Sequence, residues 1–116
     1  MIRDRWTPKA AGDLEAIRDF IGRSSPRYGA MVAARLARAV DDLREYPDLG
    51  RVVPEHDRTD VRELIRGSYR IVYLRGAELI VVLTVFRASR RFPELDLPTR
   101  PEERPATDGH ADADPE

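Results

Sequence analysis

The stretch from Arg62 to Arg91 constrains the fold most strongly, because it has the pattern of three consecutive strands. Apolar, β-branched and aromatic residues dominate three short runs, at 61–65, 69–74 and 78–86. Each of the two turns between these runs contains a glycine. Connections this short indicate antiparallel hairpins. The last run is almost wholly apolar, so we expect its strand to be central and covered on both faces.

Arginines recur along and after these strands, at Arg62, Arg66, Arg70, Arg87, Arg90 and Arg91. Successive side chains of a strand point to opposite faces, so we predict a positively charged surface or rim on the sheet. The strand arginines could converge on the face that the helices leave open. The alternative is that they are solvated and paired with acids such as Glu63, Glu78 or Glu94. We expect Tyr69 and Tyr73, which alternate with Ile71, to belong to the core.

Before the sheet, the sequence predicts a short strand at 2–6 and two helices at about 8–23 and 26–46. A capping hydroxyl residue precedes each helix and a proline is its first residue, as in Thr7-Pro8 and Ser25-Pro26. The short connection between them favours an antiparallel helical hairpin. Residues 47–60 have the composition of a loop. The predicted fold is α+β, in the order β-α-α-β-β-β, with the hairpin as scaffold on one face of an antiparallel sheet.

Composition excludes several classes of function. The 116 residues contain no cysteine, so there is neither a disulfide framework nor a thiolate nucleophile. The longest apolar run is too short to cross a bilayer, which favours a cytoplasmic protein without membrane association. His56 stands alone in a polar segment, and we expect it to be solvated. We predict no metal site and no cofactor.

The chain changes character at Pro98. From there to the end it has four prolines, six acids and no aliphatic side chain larger than alanine, so we predict a folded domain at 1–97 and a disordered tail at 98–116. Without the tail, 18 basic and 15 acidic residues remain of the chain's 20 and 21, so the predicted domain is mildly basic.

The order of these blocks resembles the RelE/ParE superfamily of bacterial type II toxins. The resemblance covers about residues 2–95 and rests on the blocks WTPKA, DLEAIRDFI, YPDLGRVVPE, RELI, YRIVY and LIVVLTVFRASRR. It implies a toxin that a cognate antitoxin neutralises in a hetero-oligomeric complex. The antitoxin would be a small acidic protein encoded by an adjacent gene.

The resemblance leaves the target open, because RelE-like members cut ribosome-bound messenger RNA and ParE-like members poison DNA gyrase. Arg70 matches an arginine of the nuclease pattern, and Arg87, Arg90 or Arg91 matches a second. The nuclease lysines are absent, with only Arg62 and Arg66 nearby, and no tyrosine follows Tyr73. Arginine stays charged and transfers protons poorly. We therefore favour a non-enzymatic, ParE-like toxin whose six arginines bind the target or the antitoxin. An RNase using Arg70, Arg87, Arg90 and Arg91 is the alternative, and a homologue that has lost toxicity is a third hypothesis.

Overall fold

The computed structural model describes residues 1–98. Its elements are β1 (Arg3–Trp6), α1 (Pro8–Gly22), α2 (Pro26–Glu45), β2 (Arg51–Val52), β3 (Val61–Arg66), β4 (Tyr69–Arg75) and β5 (Leu79–Arg87). The predicted α+β fold and the order β-α-α-β-β-β are confirmed, with one addition. The short strand β2 lies within 47–60, which we predicted to be a loop. That prediction was wrong because β2 pairs over only two residues, too few to leave a pattern in the sequence.

Both helices begin as their sequences predict. The Thr7 hydroxyl accepts a hydrogen bond from the Ala10 amide at 3.0 Å and donates one to the Leu83 carbonyl at 3.1 Å. The Ser25 hydroxyl caps α2 by accepting from the Tyr28 amide at 3.2 Å. Each cap satisfies an amide that has no partner within the helix. Neither helix in the described part of the chain is long and apolar enough to cross a membrane.

The sheet has the strand order β1-β5-β4-β3-β2, and β2 to β5 are antiparallel. The prediction of a wholly antiparallel sheet needs one correction, because β1 runs parallel to β5, with Arg3 opposite Leu79 and Trp6 opposite Val82. The chain leaves β1 and enters α1 at once, and α1 packs over β5. Parallel neighbours require a long crossover connection, and here the connection includes the whole helical hairpin.

The helices cover one face of the sheet and form the larger core there. Leu36, Val40 and Leu43 of α2 are buried in the same cluster as sheet residues. Tyr73 is fully buried and Tyr69 is 9% exposed, so both tyrosines belong to the core as predicted. The apolar faces of α2 and the sheet therefore form one continuous hydrophobic core.

The second face of the sheet is covered by the chain's own C-terminal segment. Phe92, Leu95 and Leu97 pack against a cluster of buried sheet and loop residues: Val53, Val61, Val72, Leu83 and Phe86. Arg58 Nη1 donates to the Pro98 carbonyl at 2.6 Å. The expectation of an open face is therefore wrong. The tail predicted at 98–116 lies, beyond Pro98, outside the described residues.

A polar contact fixes α1 on β5. The pairing of β4 with β5 shifts register next to Val72, where Leu83 has no partner in β4, and β1 pairs with β5 only as far as Val82, so Thr84 and Val85 lie beyond the end of β1. The carboxylate of Asp13 on α1 accepts from the Thr84 hydroxyl at 2.5 Å and from the Val85 amide at 3.1 Å. Asp13 thus satisfies both groups and sets the position of α1 over the end of β5.

Candidate functional site: a basic groove beside the helical hairpin

The structure separates the arginines that we expected on one face. Tyr69 lies between Arg66 of β3 and Arg87 of β5 in the register, so these three side chains point to the helix side of the sheet. Arg70 is the next residue of β4 and points to the opposite side. The hypothesis that the strand arginines converge on one open face was therefore wrong.

Arg70 lies in a buried ionic network. Its Nε donates to Glu63 at 2.6 Å, and its two terminal nitrogens donate to Glu55 at 3.1 and 2.9 Å. Glu63 is 1% exposed and also accepts from Arg51 Nε at 2.6 Å. The hydrogen bond from Arg70 lowers the pKa of Glu55, and the two carboxylates, Glu55 first, raise the pKa of Arg70. Arg70 is thus committed to carboxylates of its own chain.

Aromatic rings enclose the same guanidinium. The Arg70 guanidinium carbon lies 5.2 Å from the centre of the Phe86 ring and 5.0 Å from that of Phe92. The ring of His56 packs 5.2 Å from Phe92, so it is part of this contact and not simply solvated. Within residues 1–98, no cluster of His, Asp and Glu side chains has a metal-binding arrangement. These contacts hold the C-terminal segment on the sheet.

Arg62 lies toward the other end of β3 and away from Arg66. Its Nη1 donates to the Gly50 carbonyl at 3.0 Å, and its buried Nε makes no hydrogen bond to any atom of residues 1–98. The neighbouring Tyr73 hydroxyl donates to the Pro47 carbonyl at 2.8 Å and accepts from the Gly50 amide at 3.1 Å, while burial raises its pKa. Arg62 and Tyr73 therefore hold the start of the 47–60 segment.

Arg87, Arg90 and Arg91 meet in a groove between α1 and the end of β5. Among residues 1–98, Lys9 of α1 and Arg23 directly after α1 bring the cations around the groove to five, and Asp13 is the one acid in its lining. Phe20 is 61% exposed and supplies apolar surface beside them. We call this the basic groove, lined by Lys9, Asp13, Ala16, Ile17, Phe20, Arg23, Tyr69, Thr84, Val85, Phe86, Arg87, Arg90, Arg91 and Pro93.

The guanidinium groups of the basic groove remain available to a partner. Arg23 lies 5.2 Å from the centre of the Phe20 ring, and Arg87 lies 5.9 Å from that of Tyr69. Stacking of this kind fixes a guanidinium plane and leaves its N–H edges free to bind carboxylate or phosphate. Within residues 1–98, none of the four arginines in the groove forms an ion pair. Asp13 is already engaged with Thr84 and Val85.

A second groove lies on the other side of Tyr69, between α2 and the turn from β3 to β4. In the described part of the chain, its cations are Arg35, Arg38 and Arg66, and Asp42 is its one acid. Tyr28, which is 49% exposed, adds an aromatic surface. Tyr69 lines both grooves, so the cations of both helices and of the strand ends surround one end of β4.

The structure therefore brings together only some of the predicted site residues. Arg87, Arg90 and Arg91 share the basic groove, Arg66 lies across Tyr69 from it, and Arg62 and Arg70 lie elsewhere. Sequence analysis treated the helices as scaffold and missed Lys9, Phe20 and Arg23. A signal was present, because residues 9, 13, 16 and 20 recur at the three- and four-residue spacing of one helix face.

Two curated proteins resemble the chain over most of its length. Toxin RelE2 of Caulobacter vibrioides is 38% identical over 86 residues, covering 73% of this chain and 93% of that protein. The candidate toxin Y4kP of Sinorhizobium fredii is 37% identical over 95 residues, covering 80% of this chain and 95% of that protein.

Solved structures agree with this relationship. The chromosomal ParDE system of Pseudomonas aeruginosa superposes with a TM-score of 0.61 at 26% identity, over 75% of this chain and 96% of that chain. The RelBE2 toxin–antitoxin complex of Mycobacterium tuberculosis superposes with a TM-score of 0.54 at 25% identity, over 74% of this chain and 96% of that chain. The sequence model of the family described as the ParE toxin of the type II toxin–antitoxin system parDE matches residues 5–92. The chain belongs to the ParE toxin family, within the RelE/ParE superfamily of type II toxin–antitoxin toxins.

Proposed function

We propose that this toxin acts in the cytoplasm by binding and inhibiting DNA gyrase, and that the basic groove is the surface that contacts the target. The observation that carries the proposal is that four arginines of the groove are exposed and unpaired within residues 1–98: Arg23, Arg87, Arg90 and Arg91. These arginines form no ion pair within residues 1–98, and they lie beside exposed apolar surface. Exposed arginines next to an aromatic side chain are typical of protein interfaces.

The chemistry of the groove supports binding over cleavage. Cleavage of RNA by attack of a 2′-hydroxyl needs a group that accepts or donates a proton close to the phosphate. The groove offers arginines, which stay protonated, the amine of Lys9, which lies against Asp13, and the carboxylate of Asp13, which two hydrogen bonds already hold. Arg70, the arginine that best matched the nuclease pattern, is buried against Glu63.

A ribosome-dependent RNase is the second candidate. It is favoured by the relatives named RelE2 and RelBE2 and by the position of the Tyr69 ring beside Arg87. The cations of the basic groove would bind the phosphate backbone in that case. The Tyr69 hydroxyl and the Lys9 amine would then be the candidates for proton exchange.

Two assays on the purified protein decide between these candidates. The first measures gyrase supercoiling of relaxed plasmid, and the second measures cleavage of ribosome-bound messenger by primer extension. We expect inhibition of supercoiling and no new cleavage sites. Supercoiling unchanged at large toxin excess, together with new cleavage sites that disappear in Tyr69→Phe, would replace the first candidate with the second.

The antitoxin partner that the ParDE and RelBE2 complexes suggest would compete for the same groove. We propose a small acidic protein encoded next to the toxin, because its carboxylates would complement five cations. Co-purification of the two gene products, followed by titration of the Arg90→Gln/Arg91→Gln toxin with the antitoxin, tests this. We expect weaker binding, with a smaller dependence on salt than for the unmodified toxin.

A further inference from the structure

The acidic C-terminal sequence complements the basic groove of the same chain. Residues 99–116 contain six carboxylates, at Glu102, Glu103, Asp108, Asp112, Asp114 and Glu116, and two arginines. The groove presents five cations and one carboxylate, and that carboxylate is already hydrogen-bonded. The family match ends at residue 92, before this acidic sequence begins. We infer that the acidic segment 102–116 occupies the basic groove of its own chain and competes there with other acidic partners.

The path of the chain places the start of this segment within reach of the groove. Pro93 lines the groove, and the Pro98 carbonyl is held by Arg58 at 2.6 Å. Five residues span at most about 18 Å, so Pro98 lies within roughly that distance of the groove lining. Asp108 is ten residues beyond Pro98 and can extend about 35 Å from it. The carboxylates from Asp108 onward therefore have ample chain length to enter the groove.

The chemistry of the segment also sets the strength of the contact. It has no aliphatic side chain larger than alanine, so its binding is electrostatic and depends strongly on salt. Exposed carboxylate–arginine pairs are individually weak. Attachment to the same chain compensates, because it gives the segment a high effective concentration at the groove. The result is a weak internal ligand that a stronger acidic partner displaces.

A single lysine makes this inference directly testable. Lys9 is the one lysine of the sequence, and it lines the basic groove. The other primary amine is the α-amine of Met1, which precedes Arg3 of β1. Arg3 pairs with Leu79 at one end of β5, and Arg87 lies at the other end of that strand. The Lys9 amine therefore marks the groove, and the Met1 amine marks a site away from it.

The experiment is zero-length cross-linking of the full chain with a water-soluble carbodiimide, followed by peptide mass spectrometry. The reagent joins a carboxylate to an amine only when the two groups are in contact. We expect amide links from Asp108, Asp112, Asp114 or Glu116 to Lys9 within one molecule, several-fold more abundant than links to Met1. They should decrease several-fold between about 0.05 and 0.5 M salt. The contact of Lys9 Nζ with Asp13 at 3.5 Å provides an internal control for reactivity of the lysine.

A charge-preserving swap supplies the matched control. In the variant Lys9→Arg/Arg3→Lys the groove keeps its charge and the lysine moves to an exposed site away from it. Links from the acidic segment should then fall several-fold. Equal links at Lys9 and at the lysine of Arg3→Lys would overturn the inference. So would a Lys9–Asp13 link formed without any link to the segment, or links found only between two copies of the chain.

A binding measurement gives a second, independent readout. Replacing all six carboxylates of residues 99–116 by their amides should tighten binding of a short polyglutamate peptide by roughly three- to tenfold at low salt. At high salt the two proteins should bind alike. Unchanged affinity at low salt would contradict competition in the groove. Neither experiment uses gyrase or an antitoxin, so its outcome is separate from that of the proposed function.

Discussion

Arg70 of β4 and Glu63 of β3 form a buried ion pair on the sheet face opposite the helices, with Arg70 Nε 2.6 Å from Glu63. The side chain of Glu63 is fully buried, and that of Arg70 is 11% exposed. The pair lies beneath Phe92 of the C-terminal segment. Arg70, in the block YRIVY that forms part of the family resemblance, thus belongs to the folded interior, while the arginines that follow β5 remain available for binding.

Removing one partner of this pair should destabilise the protein strongly. In Arg70→Met, Glu63 stays buried and keeps Arg51 as its one remaining ion-pair partner within residues 1–98. We therefore expect the free energy of unfolding to fall by about 3–5 kcal/mol. The double variant Arg70→Met/Glu63→Leu should lose much less, because it leaves no unpaired buried charge. Urea denaturation checks both, with Arg90→Met as an exposed control. A double variant as unstable as Arg70→Met would contradict the role of the pair.

The contact between Glu55 and Arg70 predicts a pH dependence of stability. The pKa of Glu55 is lowered from 4.5 in the folded protein, mainly by its hydrogen bonds from Arg70. Its stabilising contribution is therefore complete above about pH 4.5 and disappears as the pH falls through the lower folded value. Glu55→Gln should be less stable than the unmodified protein at about pH 7, and the difference should shrink progressively as the pH falls below about 4.5 and through the lower folded pKa. Glu15→Gln controls for loss of a surface charge, and a pH-independent difference would contradict this assignment.

Asp13 should be required for the position of α1. In Asp13→Ala the buried Thr84 hydroxyl and the Val85 amide lose their acceptor, which costs about 1–3 kcal/mol for each unsatisfied group. Asp13→Asn keeps an acceptor oxygen and should recover a large part of that loss. Thermal unfolding measures both. Equal destabilisation in the two variants would show that the contact works through charge and not through hydrogen bonding.

Two helical glycines should respond oppositely to alanine. A Cβ at Gly29 of α2 would lie 2.5 Å from the Arg18 carbonyl of α1, so Gly29→Ala should push the helices apart and destabilise the hairpin. A Cβ at Gly12 of α1 would meet nothing within 4 Å. Gly12→Ala should raise stability by up to about 1 kcal/mol through helix propensity. Chemical denaturation of both variants compares them, and destabilisation by Gly12→Ala or tolerance of Gly29→Ala would contradict the observed packing.

Features determined by a few neighbouring residues could be predicted from the sequence. The caps at Thr7 and Ser25 and the alternation that buries Tyr69 and Tyr73 are of this kind. The alternation also assigns Arg70 to the opposite face. That this face is covered could not be predicted, because the segment 92–97 is short, contains Pro93 and is followed directly by Pro98.

The basic groove escaped prediction for a different reason. It joins residues 9–23 with residues 84–93, which the parallel pairing of β1 with β5 and the packing of α1 over β5 bring together. A parallel neighbour separated by a long crossover leaves no short-range signal in the sequence. The helical residues Lys9, Phe20 and Arg23 therefore looked like an ordinary exposed face.

In the proposed function, cations of the basic groove bind the target. Arg90→Gln/Arg91→Gln removes two of them, and Arg3→Gln/Arg5→Gln on β1 removes the same charge from exposed positions outside the groove. Neither pair forms an ion pair within residues 1–98, so both variants should keep the stability of the unmodified toxin.

The most direct measurement is the toxin concentration that half-inhibits gyrase supercoiling, determined for these two variants and the unmodified protein. Loss of two interface arginines should raise that concentration by about tenfold or more in Arg90→Gln/Arg91→Gln. The account predicts no change in Arg3→Gln/Arg5→Gln. Equal inhibition by all three proteins would contradict it.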